Sequence, residues 1–498
     1  MIRKELLEYL LNWFDLGAST AENDPLLEVA KIETQEYYDL YHKDRIDIVK
    51  GIKGSGKTAL YRLFYFLKEY SIENKNLFCI FGIEASGDPV FRLFYKEFKG
   101  YTTIEFENFW NIYFILLINS LIENDEAFGE LIGKDKPAIN NIINDLGIKI
   151  SGKGYTLKDS ISAIQKIFQF VHIKAGIKTE IDHNFNPTAI QPIFELEPKI
   201  LDDIKVKPIY ISEFRDRIKS ILEKHGIRIW IMLDRLDEVF PHRSEIEMNG
   251  LKGLLKSAYN FSCENLRIKI FLRDDVLDFV SSDGFTALTH ITDRCSSTMT
   301  WSKDDLLLLI VKRLSAIQEL KGYYSIDNTQ INNVEYRKEI FYKIFPEKIG
   351  KTETMEWIFT NCADGNNVVT PRDILDFFKY AKNEQLKAFK VNPREQEKLI
   401  EQDYFKIALD VLSKHKKITY LFAEFPHLKE IFTKLEGGYS EYDVGTLKEI
   451  FQDSYSKIID DLKSIGFIKY VPKTGTYRIP VIWRKGLNIR RKKAIKEI

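Results

Sequence analysis

The sequence predicts an α/β protein whose parallel sheet is followed by a helical region and a short helix-and-hairpin end. Several short runs are apolar throughout, as expected for strands that are covered on both faces. They alternate with segments in which apolar residues recur every three or four positions, which is typical of helices. After about residue 300 the strand pattern fades and helical patterns dominate. The predicted strands are IDIVKG (46–51), NLFCIFGIE (76–84), IRIWIMLD (227–234) and LRIKIFLR (266–273), with SSTMTW (296–301) as a candidate fifth.

Length, charge balance and cysteine spacing exclude several classes of protein. The 498 residues suffice for two to four domains, and 73 basic residues balance 73 acidic ones. No overall field therefore draws the chain to nucleic acid or to an anionic membrane. The four cysteines are scattered without C-x-x-C spacing, which predicts reduced thiols rather than a disulfide framework or a zinc site. The longest apolar run, within 112–122, is too short to cross a bilayer, so we expect a cytoplasmic protein with no membrane partner.

The stretch GIKGSGKT (51–58) fits the pattern G-x-x-x-x-G-K-[ST] and stands between a predicted strand and a predicted helix. Its glycines allow successive backbone N–H groups to point at a phosphate, and the helix that follows begins there with the positive end of its dipole. Lys57 can reach the β- and γ-phosphates of ATP, and the Thr58 hydroxyl can bind Mg²⁺. The sequence therefore predicts an α/β P-loop NTPase. The residues predicted to hold the nucleotide are Gly51, Gly54, Ser55, Gly56, Lys57, Thr58 and Ala59.

Acidic residues follow the third predicted strand, in IWIMLDRLDEVF (229–240). The carboxyl ends of parallel strands meet at one edge of a sheet, which is where the phosphate loop also lies. Asp234 is predicted to hold Mg²⁺ through its water shell. Asp237 or Glu238 is predicted to orient and deprotonate the attacking water. The alternative is a solvated acidic strand end without a catalytic role.

Three arginines are candidates for contact with the nucleotide. Arg273 ends the fourth strand, where it can neutralise charge on the γ-phosphate; the alternative is pairing with Asp274 or Asp275. Arg372, in TPRDIL, opens a helix after a loop and would reach the nucleotide from a helical lid, or else contact a neighbouring carboxylate. Arg294 is a candidate for contact with the nucleotide of a neighbouring subunit.

We expect four segments along the chain. In FIKYVPKTGTYRIPVIW (467–483), two β-like runs flank a Pro-Lys-Thr-Gly turn, which indicates a hairpin. With the helix predicted before it over 456–466, this is the outline of a winged helix. The segments are an N-terminal helical segment (1–45), the P-loop ATPase core (46–301) with a β-rich or irregular insertion at about 125–205, a helical lid (302–395), and a winged-helix-like C-terminal domain with a basic tail (396–498).

The C-terminal end concentrates positive charge in WRKGLNIRRKKAIKEI. A basic run beside a winged helix can neutralise DNA phosphates, and each such contact weakens as salt rises. The alternatives are a solvated tail and a surface for docking a protein. The residues predicted to contact nucleic acid are Lys473, Arg478, Arg490, Arg491, Lys492 and Lys493.

Taken together, these motifs resemble the AAA+/STAND side of the P-loop ATPases. More narrowly, LGASTAENDPLL near the N-terminus and TYRIPVIWRKGLNI near the C-terminus resemble a bacterial P-loop ATPase family that is often linked to phage defence. The chain departs from the STAND pattern at Arg235, where a small residue is usual, so an AAA+ lid closer to origin-recognition ATPases is an alternative.

The resemblance implies an ATP-hydrolysing switch that forms homo-oligomers and controls a protein effector, in bacterial antiviral defence. Two alternatives stay open: a DNA-binding AAA+ ATPase acting in replication or DNA maintenance, and a scaffold that binds nucleotide without hydrolysing it.

Overall fold

Four parallel strands form a sheet in the order Ile48–Gly51, Leu266–Arg273, Arg228–Leu233, Leu77–Phe81. The computed structural model describes residues 1–67, 76–82, 100–145, 171–181, 187–198, 211–236, 244–282, 284 and 288–491. The chain divides into a sheet unit (Gln35–Lys53, Lys57–Met299) and a terminal unit (Met1–Thr34, Gly54–Gly56, Thr300–Ile498) that contains both chain ends. The sheet strands are β1 (Ile48–Gly51), β2 (Leu77–Phe81), β5 (Arg228–Leu233) and β6 (Leu266–Arg273).

Alternate residues of these strands enter two different cores, which explains why the strands are apolar throughout. In β5, Ile231 and Leu233 face one cluster of buried residues, whereas Trp230 and Met232 face another. The predicted parallel α/β sheet is confirmed. The helices of the sheet unit, numbered along the chain, are α2 (Gln35–Tyr41), α3 (Lys57–Leu67), α4 (Thr103–Asn124), α5 (Glu126–Ile132), α6 (Lys136–Asp145), α7 (Ile211–His225), α8 (Glu245–Phe261), α9 (Asp274–Ser282) and α10 (Leu288–Thr292).

The apolar run within 112–122 lies in the buried helix α4, which starts at a capping box formed by Thr102 and Glu105. It packs closely on α8, because a Cβ at Gly253 would lie 2.6 Å from the Cβ of Phe106. The indole Nε1 of Trp110 donates a 2.9 Å hydrogen bond to the carbonyl of Gly250. Glycines in α8 thus let the two helices approach on one face of the sheet.

Two sequence expectations differ from the structure in detail. Residues 296–301 form no strand: Cys295 makes a single bridge to Ile48. The segment still runs beside β1, but the hydroxyl of Ser296 accepts the Lys50 N–H in place of a backbone carbonyl, which interrupts the ladder. The predicted insertion holds α5, α6 and a long antiparallel hairpin, β3 (Val171–Ile181) and β4 (Pro187–Pro198).

The terminal unit packs the first helix, α1 (Lys4–Trp13), into one core with helices from the second half of the chain. Its β7 (Lys348–Ile349) and β8 (Thr352–Glu353) form a small antiparallel pair. The remaining helices are α11 (Lys303–Ala316), α12 (Gln318–Tyr324), α13 (Val334–Ile344), α14 (Thr354–Cys362), α15 (Pro371–Val391), α16 (Gln402–Lys416), α17 (Lys429–Leu435), α18 (Val444–Phe451), α19 (Tyr455–Ser464) and α20 (Val481–Arg484).

A buried ion pair ties the N-terminal segment to α11. The guanidinium of Arg313 pairs with Asp24, and the two side chains are 4% and 2% exposed. Arg313 also donates to the carbonyl of Leu16. Since a buried charge is costly without its partner, this pair holds residues 16–24 in one place.

The hairpin predicted near the C-terminus is confirmed. Strand β10 (Lys469–Val471) pairs antiparallel with β11 (Thr476–Arg478), which in turn pairs with β9 (Glu441–Asp443). Helices α18 and α19 lie between β9 and β10 in the chain, as a helix-and-hairpin outline requires.

Candidate phosphate-binding site

The predicted phosphate loop connects β1 to α3, as the motif requires. Strand β1 ends at Gly51 and α3 begins at Lys57. Between them, Gly54 and Gly56 have φ angles of +85° and +102°, which side-chain-bearing residues rarely adopt. The glycines at these two positions therefore allow the loop to curl in front of the helix N-terminus.

Lys57 is buried at the start of α3, and its ammonium turns back onto the loop. Its Nζ donates hydrogen bonds of 2.7 Å to the carbonyl of Gly51 and 3.0 Å to that of Ile52. Burial raises the pKa of the nearby Asp274 carboxyl, although the positive charge of Lys57 opposes that rise. The lysine is thus held beside the loop, within reach of a group that the loop would bind.

Arg273 lies at the same edge of the sheet as the phosphate loop, because its Cα pairs with that of Gly51 in the β1–β6 register. Its guanidinium donates two hydrogen bonds to Asp275, from Nε at 3.0 Å and from Nη2 at 2.9 Å. Such a bidentate pair fixes the orientation of the guanidinium. Of the two carboxylates considered from the sequence, Asp275 is the one to which Arg273 donates.

Asp234 follows the carboxyl end of β5 and is 2% exposed. The next residue, Arg235, has a φ of +56°, so the chain turns sharply there. Asp234 follows β5, and Thr58 lies on the helix that follows β1. Both are therefore near the carboxyl ends of the strands, with β6 between β5 and β1. The two supply oxygen donors, which Mg²⁺ prefers. Asp237 and Glu238 lie outside the described residues.

The tip of the loop belongs to the terminal unit, where two side chains contact it. A Cβ at Gly54 would lie 3.2 Å from both the Cβ of Arg372 and the Oγ1 of Thr370. Thr370 caps α15 by accepting a hydrogen bond from the backbone N–H of Asp373. The start of α15 therefore packs directly on the loop tip, with Thr370 and Arg372 against Gly54.

One residue that sequence reasoning missed also holds the tip. The indole Nε1 of Trp301 donates a 2.7 Å hydrogen bond to the carbonyl of Ser55. No local motif identifies such a contact, since the two residues are 246 positions apart. The only sequence signal is a tryptophan at the end of a segment predicted to be extended.

Arg294 lies elsewhere in the sheet unit. Its guanidinium pairs with Asp47 and donates to the carbonyl of Asp44, both of which precede β1. It therefore lies at the amino ends of the strands, whereas the phosphate loop follows a carboxyl end. Its contact with a neighbouring subunit's nucleotide stays a prediction.

The predicted nucleic-acid residues fall around the C-terminal hairpin. Lys473 is exposed in the turn between β10 and β11. Arg478 is exposed and lies 3.3 Å from Glu441, while the Nε of Arg490 donates to the carbonyl of Gly437. Arg491 is exposed, and Lys492 and Lys493 lie outside the described residues.

Comparison with known proteins gives distant likenesses. No family model matches the chain. The "Putative transposon gamma-delta 80.3 kDa protein" of Escherichia coli K12 is 26% identical over 311 residues, which are 61% of this chain but only 40% of that protein. This chain therefore spans less than half of that relative.

Among solved structures, the Walker-type ATPase PABY2304 of Pyrococcus abyssi aligns over 96% of this chain and all of its own, at 14% identity and a TM-score of 0.41. The ORC2 protein of Aeropyrum pernix aligns over 91% of each chain, at 10% identity and a TM-score of 0.38. TM-scores of this size do not establish a shared fold. In the described part of the chain, no helix combines the length and the hydrophobicity needed to cross a membrane.

The Gly54→Ala variant tests the packing of α15 on the loop tip. A side chain at Gly54 carries the strain of its φ angle and also crowds Thr370 and Arg372. We expect a loss of unfolding free energy of about 1–3 kcal/mol. Gly100→Ala is the matched control, because Gly100 has a φ of +88° but, among the residues that the structure describes, no neighbour within 4 Å of a Cβ. Equal losses for the two variants, measured by thermal or denaturant unfolding, would contradict the packing argument.

Proposed function

We propose that the chain is an ATP-hydrolysing switch whose nucleotide state controls a partner. The observation that carries the proposal is the loop itself: two glycines with left-handed φ angles precede a helix that begins at a buried lysine. Backbone N–H groups at such a helix start attract anions, and the lysine adds a full positive charge. A triphosphate is the ligand whose charge and length suit this arrangement.

Each side chain at the edge has a defined part in the proposed reaction. Lys57 would exchange the carbonyl oxygens of Gly51 and Ile52 for phosphate oxygens. Arg273, oriented by Asp275, would stabilise negative charge on the γ-phosphate. Mg²⁺, held by Thr58 and Asp234, would neutralise further phosphate charge. Asp237 or Glu238 would orient the attacking water.

The loop tip supports the idea of a switch. Bound phosphates would contact the backbone around Gly54, which packs on Thr370 and Arg372 at the start of α15. Loss or hydrolysis of the nucleotide would then change the position of α15, which is 21 residues long. In this proposal Arg372 contacts the nucleotide directly, and homo-oligomers form in the ATP state.

Turnover of ATP by the purified chain tests the hydrolysis proposal. We expect Lys57→Ala and Asp234→Asn to weaken nucleotide binding and to lower turnover at least a hundredfold, and Glu238→Gln to lower turnover while binding persists. Lys53→Ala, at a variable position of the same motif, is the matched control and should keep most of the activity. Turnover that is absent from the wild type, or equal in the wild type and Lys57→Ala, would overturn the proposal.

For the biological role we propose control of an effector in antiviral defence, which rests on the resemblance of the terminal stretches. Phage plating on cells that carry the gene with its neighbours tests this role. Protection should disappear with Lys57→Ala and persist with Lys53→Ala. If plating is the same with the wild-type gene, with Lys57→Ala and with no gene, the role is wrong.

A second candidate function is DNA binding by the C-terminal region, which we propose to be a winged helix. The observation that favours it is a cluster of arginines: burial lowers the pKa of Arg484, and the charges of Arg478 and Arg491 lower it further. Such concentrated positive charge suits a phosphate backbone. The name of the transposon relative also agrees with a role at DNA.

Titration of duplex DNA at several salt concentrations tests this second function. We expect Arg491→Ser and Lys473→Ser each to weaken binding and to reduce the slope of log affinity against log salt by about one. Lys338→Ser, an exposed lysine on α13, is the control. Binding that is indifferent to salt and to these variants would reject DNA contact and favour protein docking.

A further inference from the structure

A cavity of about 380 Å³ opens in the sheet unit away from the phosphate loop. Its residues come from the amino ends of β1 and β6, from α7, from the end of α8 and from the segment after α10. Its apolar wall is formed by Ile48, Leu255, Ala258, Ile268, Ile270 and Ile291. We call it the arginine cavity, because Arg215, Arg267 and Arg294 also line it. Its volume is in the range of small-molecule sites.

The Arg267 side chain gives the main evidence for a ligand in this cavity. It is 22% exposed, its Nε is buried, and it makes no hydrogen bond within the described part of the chain. Its closest carboxylate, Asp47, lies 3.6 Å from Nη1. A guanidinium has five donors, so a partly buried one that bonds to nothing is costly unless a ligand accepts from it.

Asp47 does not satisfy the hydrogen-bond donors of Arg267, because Lys269 and Arg294 already pair with this carboxylate. The Nζ of the fully buried Lys269 lies 2.9 Å from it, and Arg294 also pairs with it. Burial alone would raise the pKa of the Asp47 carboxyl, but Lys269 and Arg294 hold it below its usual value. Asp47 is therefore ionised and shared among several donors.

The charges around Asp47 do not balance. In the described ion pairs, Lys269, Arg228, Arg267 and Arg294 face only two carboxylates, Asp44 and Asp47. An excess of two positive charges at a cavity with low-dielectric walls attracts an anion. Arg215, which donates to the carbonyl of Asn260 at the rim, is itself paired with Asp216 and adds no net charge.

We propose that the arginine cavity binds a small organic anion, a carboxylate or phosphate monoester attached to an apolar group. The Arg267 guanidinium would bind the anionic group, for which its planar fork is suited. The apolar group would lie against Ile268, Ile270 and Leu255. The site is separate from the phosphate loop, since the two lie at opposite ends of the parallel strands β1 and β6.

Calorimetric titration of the full chain, with ADP and Mg²⁺ present at saturation, tests the proposal. The probes are phenyl phosphate and benzoate, and the reference compounds are inorganic phosphate and phenol. At least one probe should bind in the submillimolar range, at least tenfold more tightly than either reference compound. Arg267→Leu should weaken the binding at least tenfold. Ala258→Phe should abolish it by filling the cavity.

Arg228→Leu is the matched control, because Arg228 contributes to the same excess of charge but does not line the cavity. It should change the affinity less than threefold. Lys57→Ala should retain the binding, which separates this site from the proposed ATP site. Absence of binding by both probes at 10 mM, equal binding of inorganic phosphate and phenyl phosphate, or full affinity in Ala258→Phe would overturn the proposal.

If Arg267→Leu unfolds, Arg215→Gln serves instead, because its side chain is half-buried and lies at the rim. We expect it to weaken the binding about threefold to tenfold while the thermal unfolding midpoint stays unchanged. Unchanged affinity in both Arg215→Gln and Ala258→Phe would also reject the site.

Discussion

The parallel pairing of β1 with β6 is the constraint on which the rest of the sheet unit depends. Its register aligns Gly51 with Arg273, so the start of the phosphate loop and a fixed guanidinium reach one edge together. Because the two strands run in the same direction, Asp47 and Arg267 both lie at the amino ends, where the arginine cavity opens. Parallel strands thus give the unit two chemically different ends, one with the phosphate loop and one with the arginine cavity.

The phosphate loop makes two kinds of contact. On the side of the sheet unit, Lys57 is held by carbonyl oxygens of the loop that it follows. In the terminal unit, the tip of the loop contacts Thr370, Arg372 and Trp301. A loop that is packed in this way cannot change its conformation alone, because the side chains on its tip must move with it.

Two largely buried cations of the terminal unit are each paired with a carboxylate. Arg313 with Asp24 and Lys416 with Asp373 are matched pairs inside the terminal unit. Lys416 also lies over the ring of Trp483, 4.9 Å from its centre, so the same cation joins α16 to the C-terminal helix α20. Matched pairs of this kind fix the position of segments without leaving charge to spare. Around Asp47, by contrast, the described ion pairs leave cations in excess, which is why we propose a ligand in the arginine cavity.

The local sequence determined the strands, the long buried helix, the phosphate loop and the C-terminal hairpin, because each is marked by a residue pattern within one short segment. Glycine spacing and apolar periodicity are local signals of this sort. The tertiary structure alone decided that Trp301 bonds to Ser55, that Thr370 packs on Gly54, and that Arg294 pairs at the amino edge. These contacts join residues more than 200 positions apart, and no local pattern encodes such pairs. The excess charge around Asp47 is likewise a property of four segments brought together by folding, so only the folded chain reveals it.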